Sequence, residues 1–344
     1  MLILAVESSC DETAVAVVRD GREALSDSIA SQTDVHSLYG GVVPELASRR
    51  HAECIHALAE KAVREAGISA GGIDAVACTA APGLIGSLLV GLGFAKAAAF
   101  GLGVPLIPVH HIRGHVAACY ITFPALEPPF AALVASGGHS SLLEVRGYTQ
   151  YRTLGATRDD AAGECFDKAA RAAGLGYPGG PVFDRLSQNG DPSRYHMPSA
   201  KLSGNPLDMS FSGLKTHVVN LISNAAQRGE QLDLQGLAAS FSQAVCRELV
   251  SRLLAAMRTT GLSKCVLAGG VAANSWLRKY AAAALSEASA ADGVDYELFA
   301  PPIPLCGDNA SMIGAQGYYE FLAGHTAGLS HNARASCPAD DELC

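Results

Sequence analysis

Charged side chains are scarce in this sequence: Asp, Glu, Lys and Arg together make up 17% of 344 residues, against 49% apolar ones. That balance excludes a disordered chain and leaves ample material for a sizeable core. Basic charge is in deficit too, with 25 Lys and Arg against 33 Asp and Glu and a net charge of -8. Such a chain has no overall attraction for a phosphate backbone, so nucleic-acid contact requires a local basic patch or a partner's surface. No two of the 10 cysteines form a C-x-x-C pair, which leaves neither a zinc ribbon nor a disulfide framework. Most lie in apolar stretches such as AVACTAA and SKCVLAGG, where a thiol packs as a small hydrophobe. The start of the sequence shows no signal-peptide pattern, and the expectation is a cytoplasmic protein with reduced thiols. An uninterrupted membrane span is lacking as well. The best candidate, residues 84–104, is broken by Lys96 and several glycines and runs into the strand-like PLIPV, which fits a buried helix of small residues and no membrane.

The length suggests two domains, or one domain built in two halves. The first residues read as a strand, LILAVES, a tight turn, SCDET, and a second strand, AVAVV, with a third strand over 25–31. A helix runs from Pro44 through 66, favoured by proline at a helix start. Strand 74–81, a long helix over 84–102, the short strand 105–109 and a helix from His110 to Ile121 follow. Near residue 130 the pattern begins again: FAALVAS, a GGHS turn and SLLEV. Helices are expected over 159–173 and 182–188, then an irregular insertion over 190–216 rich in Pro, Ser and Gly. Leu234, Leu237, Phe241, Val245, Leu249 and Leu253 recur at three- and four-residue spacing, the signature of an amphipathic helix. CVLAGGV and YELFAP are further strands, with a helix from Asn274 and a last one over 308–322. Two halves that each open with a hairpin and close with βα units suggest a duplication into two α/β lobes around a cleft. The domains are expected at 1–125 and 126–307, the final helix (308–325) packing back on the first and 332–344 forming a loose tail.

Three small-residue turns follow apolar strands: ESSCDET (7–13), SGGHS (136–140) and AGGVAAN (268–274). Turns of this kind expose backbone N–H groups to a phosphate, and three in order favour a nucleotide site over plain structural turns. His111 and His115 lie one helical turn apart, so both imidazoles can reach one metal. Position 112 is Ile, so the Glu general base of the zincin H-E-x-x-H motif is missing. Asp308 in CGDNASMI is the best third ligand, with a helix N-cap its competing role and Cys306 a softer alternative. Asp160, Glu164 and Asp167 share a helix face, and Asp167 and Asp184 flank the YPGGP turn, suited to ribose hydroxyls or, alternatively, a solvated face.

ESSCDET, YGGVVPELASR (39–49), APGLIGSLLVG (81–91), VHHIRGH (109–115), SGGHS, DDAAGECFDK, YPGGP, FSGLKT (211–216), AGGVAAN and GDNASMI together resemble the TsaD/Kae/Qri family, in its bacterial TsaD form, over residues 1–325. The resemblance implies a duplicated two-lobe fold of the actin, hexokinase and Hsp70-like ATPase type with a central cleft. It implies transfer of a threonylcarbamoyl group from threonylcarbamoyl-adenylate to N6 of the adenosine next to the tRNA anticodon, with release of AMP. By the same resemblance, His111, His115 and Asp308 bind one divalent metal, Fe(II) or alternatively Zn(II). Val134, Ala135, Ser136, Gly137 and Gly138 hold the adenylate's phosphate and threonyl end, and Asp167, Gly180, Asp184 and Asn274 its nucleoside. Asp11 and Glu12 stand where the family places acidic residues important for turnover, one of them orienting the amine or taking its proton, while the N–H groups near Gly137 and Gly138 stabilise charge on the carbamoyl oxygen. A TsaB-type paralogue and a TsaE-type ATPase are the implied partners, and a composite surface answers the deficit of basic charge. One departure is GDN at 307–309 in place of the commoner TDN, which removes a hydroxyl and keeps Asp308. The competing readings are a kinase or ATPase of the same fold, a metallopeptidase, and a non-catalytic scaffold, which would have no reason to keep a metal site.

Overall fold

The computed structural model describes residues 1–200 and 202–343. Lys201, within the expected insertion, and Cys344, within the expected tail, lie outside the described residues. The first three strands, β1 (Leu2–Glu7), β2 (Glu12–Arg19) and β3 (Glu23–Ser31), pair antiparallel in sequence order. After a short α1 (Thr33–Ser37) come α2 (Pro44–Glu65), β4 (Ala75–Ala81), α3 (Ile85–Leu102), β5 (Leu106–His110) and α4 (His111–Thr122), with β4 parallel to both β1 and β5. The second series is β6 (Phe130–Ala135), β7 (Ser140–Gly147), β8 (Gln150–Ala156), α5 (Ala162–Ala172), α6 (Gly179–Ser187), α7 (Ser212–Arg228), α8 (Leu234–Thr260), β9 (Lys264–Ala268), α9 (Ser275–Asp292) and β10 (Glu297–Phe299). Helix α10 (Ala310–Leu322) is the last.

The strand orders are β3-β2-β1-β4-β5 and β8-β7-β6-β9-β10. Both sheets follow one plan, in which the central strand, β1 or β6, takes the two strands that follow it in sequence on one side and two parallel strands on the other. The chain divides into two compact units. Unit 1 holds Met1–Pro128, Arg146–Arg152 and the chain from Pro304 onward, and unit 2 holds Pro129–Val145 and Thr153–Ile303.

In unit 1 the alternation of a strand decides which helix covers which face. Ile3 and Ala5 of β1, with Ala14, Ala16 and Val18 of β2, pack under Ala310, Met312 and Ile313 of α10 and Ala118 of α4. Leu4, Val6, Val15 and Val17 point the other way, against Ile55, Leu58 and Ala62 of α2 and Leu92, Ala95 and Ala99 of α3. Covered on both faces, these strands are apolar throughout rather than alternating. Helix α3 is long and apolar enough to cross a membrane, yet its Ser87, Leu88, Gly91, Leu92, Ala95 and Ala99 side is buried in this layer. Its other side leaves Ile85, Leu89 and Phe100 exposed.

Helix α10 lies close to the sheet because its inner face carries glycine. A Cβ on Gly314 would stand 2.5 Å from Cγ2 of Val18, and one on Gly317 would stand 2.7 Å from Cβ of Ala77. Gly314→Ala therefore gains about 1 kcal/mol of helix propensity but overpacks the layer, at about 1–3 kcal/mol. The overpacking wins, because β2 is held on both sides by neighbouring strands and has nowhere to move. A chemical melt of the variant is expected at lower denaturant with an unchanged slope; a stabilised variant would mean that α10 is free to lift.

Unit 2 is organised around Phe166, Phe183 and Phe241 from α5, α6 and α8, which meet edge to face with ring centroids 5.2–6.2 Å apart. Strands β6 and β9 run through its middle, and four of the five β9 residues are buried. Three elements differ from the sequence expectation. Strand β8 was not anticipated. Helix α7 begins at Ser212, inside the stretch expected to be irregular. It is capped by Asp159, whose carboxylate accepts from Phe211 N (2.8 Å), Ser212 N (3.2 Å) and Ser212 Oγ (2.7 Å). The expected loose tail is held on unit 1 instead, by Arg334 N to Ala80 O (2.9 Å) and Gly83 N to Ala335 O (3.1 Å). Bonds between main-chain groups leave no side-chain periodicity to read.

Candidate functional site

Strand β5 ends at His110 and α4 begins at His111, so the helix starts with its donors already at the strand's end. His110 is the N-cap, its Nδ1 accepting from Ile112 N (3.2 Å). His111 and His115 follow one turn apart, with ring centroids 4.6 Å from each other. Asp308, just before α10, completes the set. Its Oδ1 lies 3.6 Å from His111 Nε2 and 3.3 Å from His115 Nε2. The N-cap of α10 is Asn309, whose side chain accepts from Met312 N (2.9 Å), so the capping role considered for Asp308 belongs to its neighbour.

The donor set suits a divalent metal. One ligand atom from each of the three residues lies within 4.8 Å of the others. Two ligands each about 2.1 Å from one ion lie roughly 3–3.5 Å apart; Asp308 is 3.3 Å from His115, within that range, and 3.6 Å from His111, just beyond it. His115 is 1% exposed, and neither of its ring nitrogens makes a hydrogen bond among the described residues. A buried imidazole aimed at a carboxylate without hydrogen bonds is costly unless a cation takes the lone pair.

Behind His111 stands Glu7, a residue the sequence reading passed over. It is fully buried, its Oε2 3.0 Å from His111 Nδ1 and 2.6 Å from the donating Thr79 Oγ1, while Oε1 accepts from Ser9 N. Burial alone would raise its pKa, but the His111 charge and the bonds from His111 and Thr79 outweigh it and hold the carboxyl below its usual range. Burial likewise works against an imidazolium at His111, and the charges of Glu7 and Asp308 overcome it, pushing the pKa up to about 9. A carboxylate on Nδ1 fixes the tautomer and turns Nε2 toward Asp308, the familiar arrangement behind a metal-bound histidine. The available signal was an acidic residue closing an otherwise apolar strand. Glu7→Gln should keep the shape and weaken zinc binding about ten- to a hundredfold, read by competition with a chelator; unchanged affinity would mean that Glu7 only fills space.

Asp11 lies in the turn between β1 and β2, whereas Glu12, expected in that turn, is the first residue of β2, paired with Ser31. The turn is fixed by His51 of α2, whose ring bonds Thr13 Oγ1 (2.7 Å) and Cys10 O (2.9 Å), and by Gln32 N on Asp11 O (3.2 Å). Ser31 Oγ donates to Glu12 Oε1 at 3.1 Å. Burial first, then the charges of Asp11 and Asp308 and a bond with Asp11, push the Glu12 carboxyl up to about 9.

The remaining candidates lie in unit 2. Val134 and Ala135 are inside the sheet, paired with Ser141 and Ser140 of β7, and their side chains, on opposite faces of the sheet, are both buried. Ser136, Gly137 and Gly138 form the turn that follows, closed by Ser136 N to His139 O (2.8 Å), with both glycines exposed. The start of α5 abuts it, since a Cβ on Gly163 would stand 2.6 Å from Ser136 O. The other four form two pairs. Asp167 Oδ1 accepts from Gly179 N (2.7 Å) beside Gly180, and a Cβ on Gly180 would meet no atom within 4 Å. Asp184 Oδ1 accepts from Ser275 N (3.1 Å) and Ser275 Oγ (2.7 Å), next to Asn274, which caps α9 through Leu277 N (3.0 Å). Ser275 was absent from the sequence reading, and a serine after a capping asparagine carries no distinctive signal.

Residues 23–315 match the profile of a family described as TsaD: tRNA N6-adenosine threonylcarbamoyltransferase. Among relatives carrying that enzyme name, one from Clostridioides difficile is 46% identical over 333 residues, covering 97% of each chain. Another, from Clostridium botulinum strain Kyoto, is 47% identical over 331 residues and 96% of each chain. Solved structures of similar fold include full-length HypF in a phosphate- and nucleotide-bound form, with a TM-score of 0.60 and 15% identity over 93% of this chain and 46% of that one. Component A of the (R)-2-hydroxyglutaryl-CoA dehydratase of Acidaminococcus fermentans gives 0.51 and 13% over 93% and 98%. These structures are of the actin-like ATPase fold, in agreement with the two lobes read from the sequence.

Proposed function

Because this chain belongs to the tRNA N6-adenosine threonylcarbamoyltransferase family, and so modifies tRNA adenosine at N6, we propose how its residues divide the work. The donor is threonylcarbamoyl-adenylate, the acceptor is the adenosine next to the anticodon, and AMP leaves. His111, His115 and Asp308 hold one divalent ion, Fe(II) in the first place and Zn(II) in the second. The observation that carries this reading is the convergence of two imidazole Nε2 atoms on one Asp308 oxygen, at 3.6 and 3.3 Å. When bound, such an ion supplies positive charge to an anionic ligand oxygen.

The protein's own groups do the rest. Glu7 holds the His111 tautomer. Glu12 sits in β2 with its carboxyl bonded by Ser31, and Asp11, in the turn before it, takes the proton of the attacking amine. In unit 2, Ser136–Gly138 present N–H groups to the phosphate and threonyl end. The open space at Gly180, with Asp167, Asp184 and Asn274, receives the nucleoside. For Asp184 the support is specific: Oδ1 is taken by Ser275, while Oδ2 has no hydrogen-bond partner among the described residues. Val134 and Ala135 contribute through the backbone that leads into the turn.

A TsaB-type paralogue and a TsaE-type ATPase act with this chain in the cytoplasm. The apolar outer side of α3, with Leu89 53% and Phe100 75% exposed, is suited to a protein partner. The test is incubation of the chain with both partners, threonylcarbamoyl-adenylate and unmodified tRNA, followed by mass spectrometry of the digested nucleosides. Threonylcarbamoyl-adenosine should form, disappear when the chain is stripped with a chelator, and return with added Fe(II) or Zn(II). Product formation undiminished by complete metal removal would reject the metal assignment. No product, from components active with a related enzyme, would reject the donor and partner scheme.

A further inference from the structure

The last part of the chain is built into the same corner of unit 1 as the histidines. Arg334 N bonds Ala80 O at the end of β4, and Gly83 N bonds Ala335 O. The His110 ring lies 3.1 Å from Cys337 O. Arg113 then donates through Nε to Ala339 O and through Nη2 to Asp341 O, both at 2.9 Å. The segment crosses in turn the end of β4, the turn after it, the end of β5 and the first turn of α4.

Arg113 is only 2% exposed. Its charge is met by Glu320 (3.3 Å) and its face by the Tyr151 ring, 5.0 Å from centroid to guanidinium carbon. Two of its acceptors are thus main-chain carbonyls of a segment more than two hundred residues away. Arg113 is two residues from His111 and two from His115, so it leaves α4 on the side opposite both rings. Whatever holds the guanidinium sets the rotation of the helix about its axis, and with it the two Nε2 positions. Metal sites tolerate ligand displacements of only about 0.2 Å, far less than a loosened helix would allow. The same segment steadies the back of His111. Gly83, which it bonds, is in close contact with Ser9, where an added Cβ would stand 2.7 Å from Ser9 O, and Ser9 Oγ lies 3.2 Å from His111 Nδ1.

We propose that the segment Arg334–Asp341 is a strap that fixes the rotation of α4, and that Arg113 is the positioning residue through which it sets the metal-holding geometry of His111 and His115. The inference rests on the metal reading above and adds how this chain holds its ligands in register. It also accounts for a buried arginine between two histidines, where an alanine would serve a merely packed helix.

The test compares the full chain, a chain ending before Arg334, and full-length Arg113→Gln and Arg113→Lys variants. Zinc affinity is measured by competition with a chromophoric chelator, the Co(II) absorption bands report ligand geometry, and far-UV circular dichroism reports the fold. The truncated chain and Arg113→Gln should bind zinc about ten- to a hundredfold more weakly, with altered Co(II) bands and unchanged dichroism. Arg113→Lys keeps a charge for Glu320 but cannot span both carbonyls, and should fall several-fold short of wild type. A well-folded Arg113→Gln that binds zinc within twofold of wild type overturns the strap. If the first two variants fail to fold, Arg113→Lys decides: wild-type affinity and Co(II) bands overturn the proposal. A wild-type chain that takes up no zinc, or takes it up equally well after His115→Ala, overturns the metal reading itself. Equal binding by a zinc-competent wild type and its variants overturns the strap alone.

Discussion

A chain carrying His111→Ala and His115→Ala is expected to take up no stoichiometric metal and to lose threonylcarbamoyl transfer by on the order of a thousandfold or more. Loss of one outer partner of a metal site costs about ten- to a hundredfold, and here two direct ligands go together, leaving Asp308 alone. The fold should survive. Both rings are buried, at 6% and 1% exposure, but they meet each other, Asp308 and, for His111, Glu7 and Ser9 rather than the apolar layer under α10, and Glu7 keeps its bonds from Thr79 and Ser9. Removing them also relieves His115 of two nitrogens without hydrogen bonds, so the loss of packing is partly offset. Metal content by elemental analysis and product by nucleoside mass spectrometry are the two readings. A double variant that retains near-normal transfer would show that the histidines only shape the site.

Asp11→Asn is expected to lower the rate of transfer by about a hundred- to ten-thousandfold, the usual worth of a positioned general base, with little change in the apparent affinity for tRNA. Glu12→Gln should cost far less, because the amide keeps an oxygen to accept from Ser31 and Glu12 is given no proton to take. The contrast is the informative part: a large loss for Glu12→Gln with a small one for Asp11→Asn would reverse the assignment. Glu12 also has a signature in stability. Its carboxyl titrates at 4.5 when unperturbed and is pushed up to about 9 in the folded chain. Between those values the folded state binds more protons than the unfolded one, so stability falls as pH rises through that window. Glu12→Gln should remove this slope. In chelator, its melting temperature relative to wild type should therefore be higher at pH 8 than at pH 5, by about 2–4 °C for a net effect near 1 kcal/mol.

The sequence was most legible where one chemical requirement repeats. The buried strands β1, β4, β6 and β9 are continuous apolar runs, and α8 carries its apolar stripe at helical spacing, so both periods could be read directly. The histidine pair was visible because i and i+4 on a helix is itself a geometric statement. Strand β8 was missed because only Tyr151 and Gly155 of its seven residues are buried, too few to set a period. Helix α7 was missed for a similar reason: Leu214, Val218 and Ala225 are its buried residues over 17 positions. Glu7 and Asn309 needed knowledge of who stands opposite. Which carboxylate lies behind an imidazole is decided by a contact between residues far apart in the chain, and Asp308 and Asn309 both suit a helix start, so only the backbone geometry decides which one caps it. The strap is the extreme case, its acceptors being carbonyls that every residue possesses.

The return of α10 to the first sheet also governs the order in which the protein can be made. Residues 129–303 leave the ribosome as a nearly complete unit and can fold during synthesis. The first sheet cannot, because Ile3, Ala5, Ala16 and Val18 wait for Met312 and Ile313 to cover them. Until residues 310–313 have been made, the nascent chain therefore carries a first half with one bare apolar face, a natural surface for a chaperone to shield. His111 and His115 meet Asp308 only when that face closes, so the three side chains come together only in chains synthesised past Ile313.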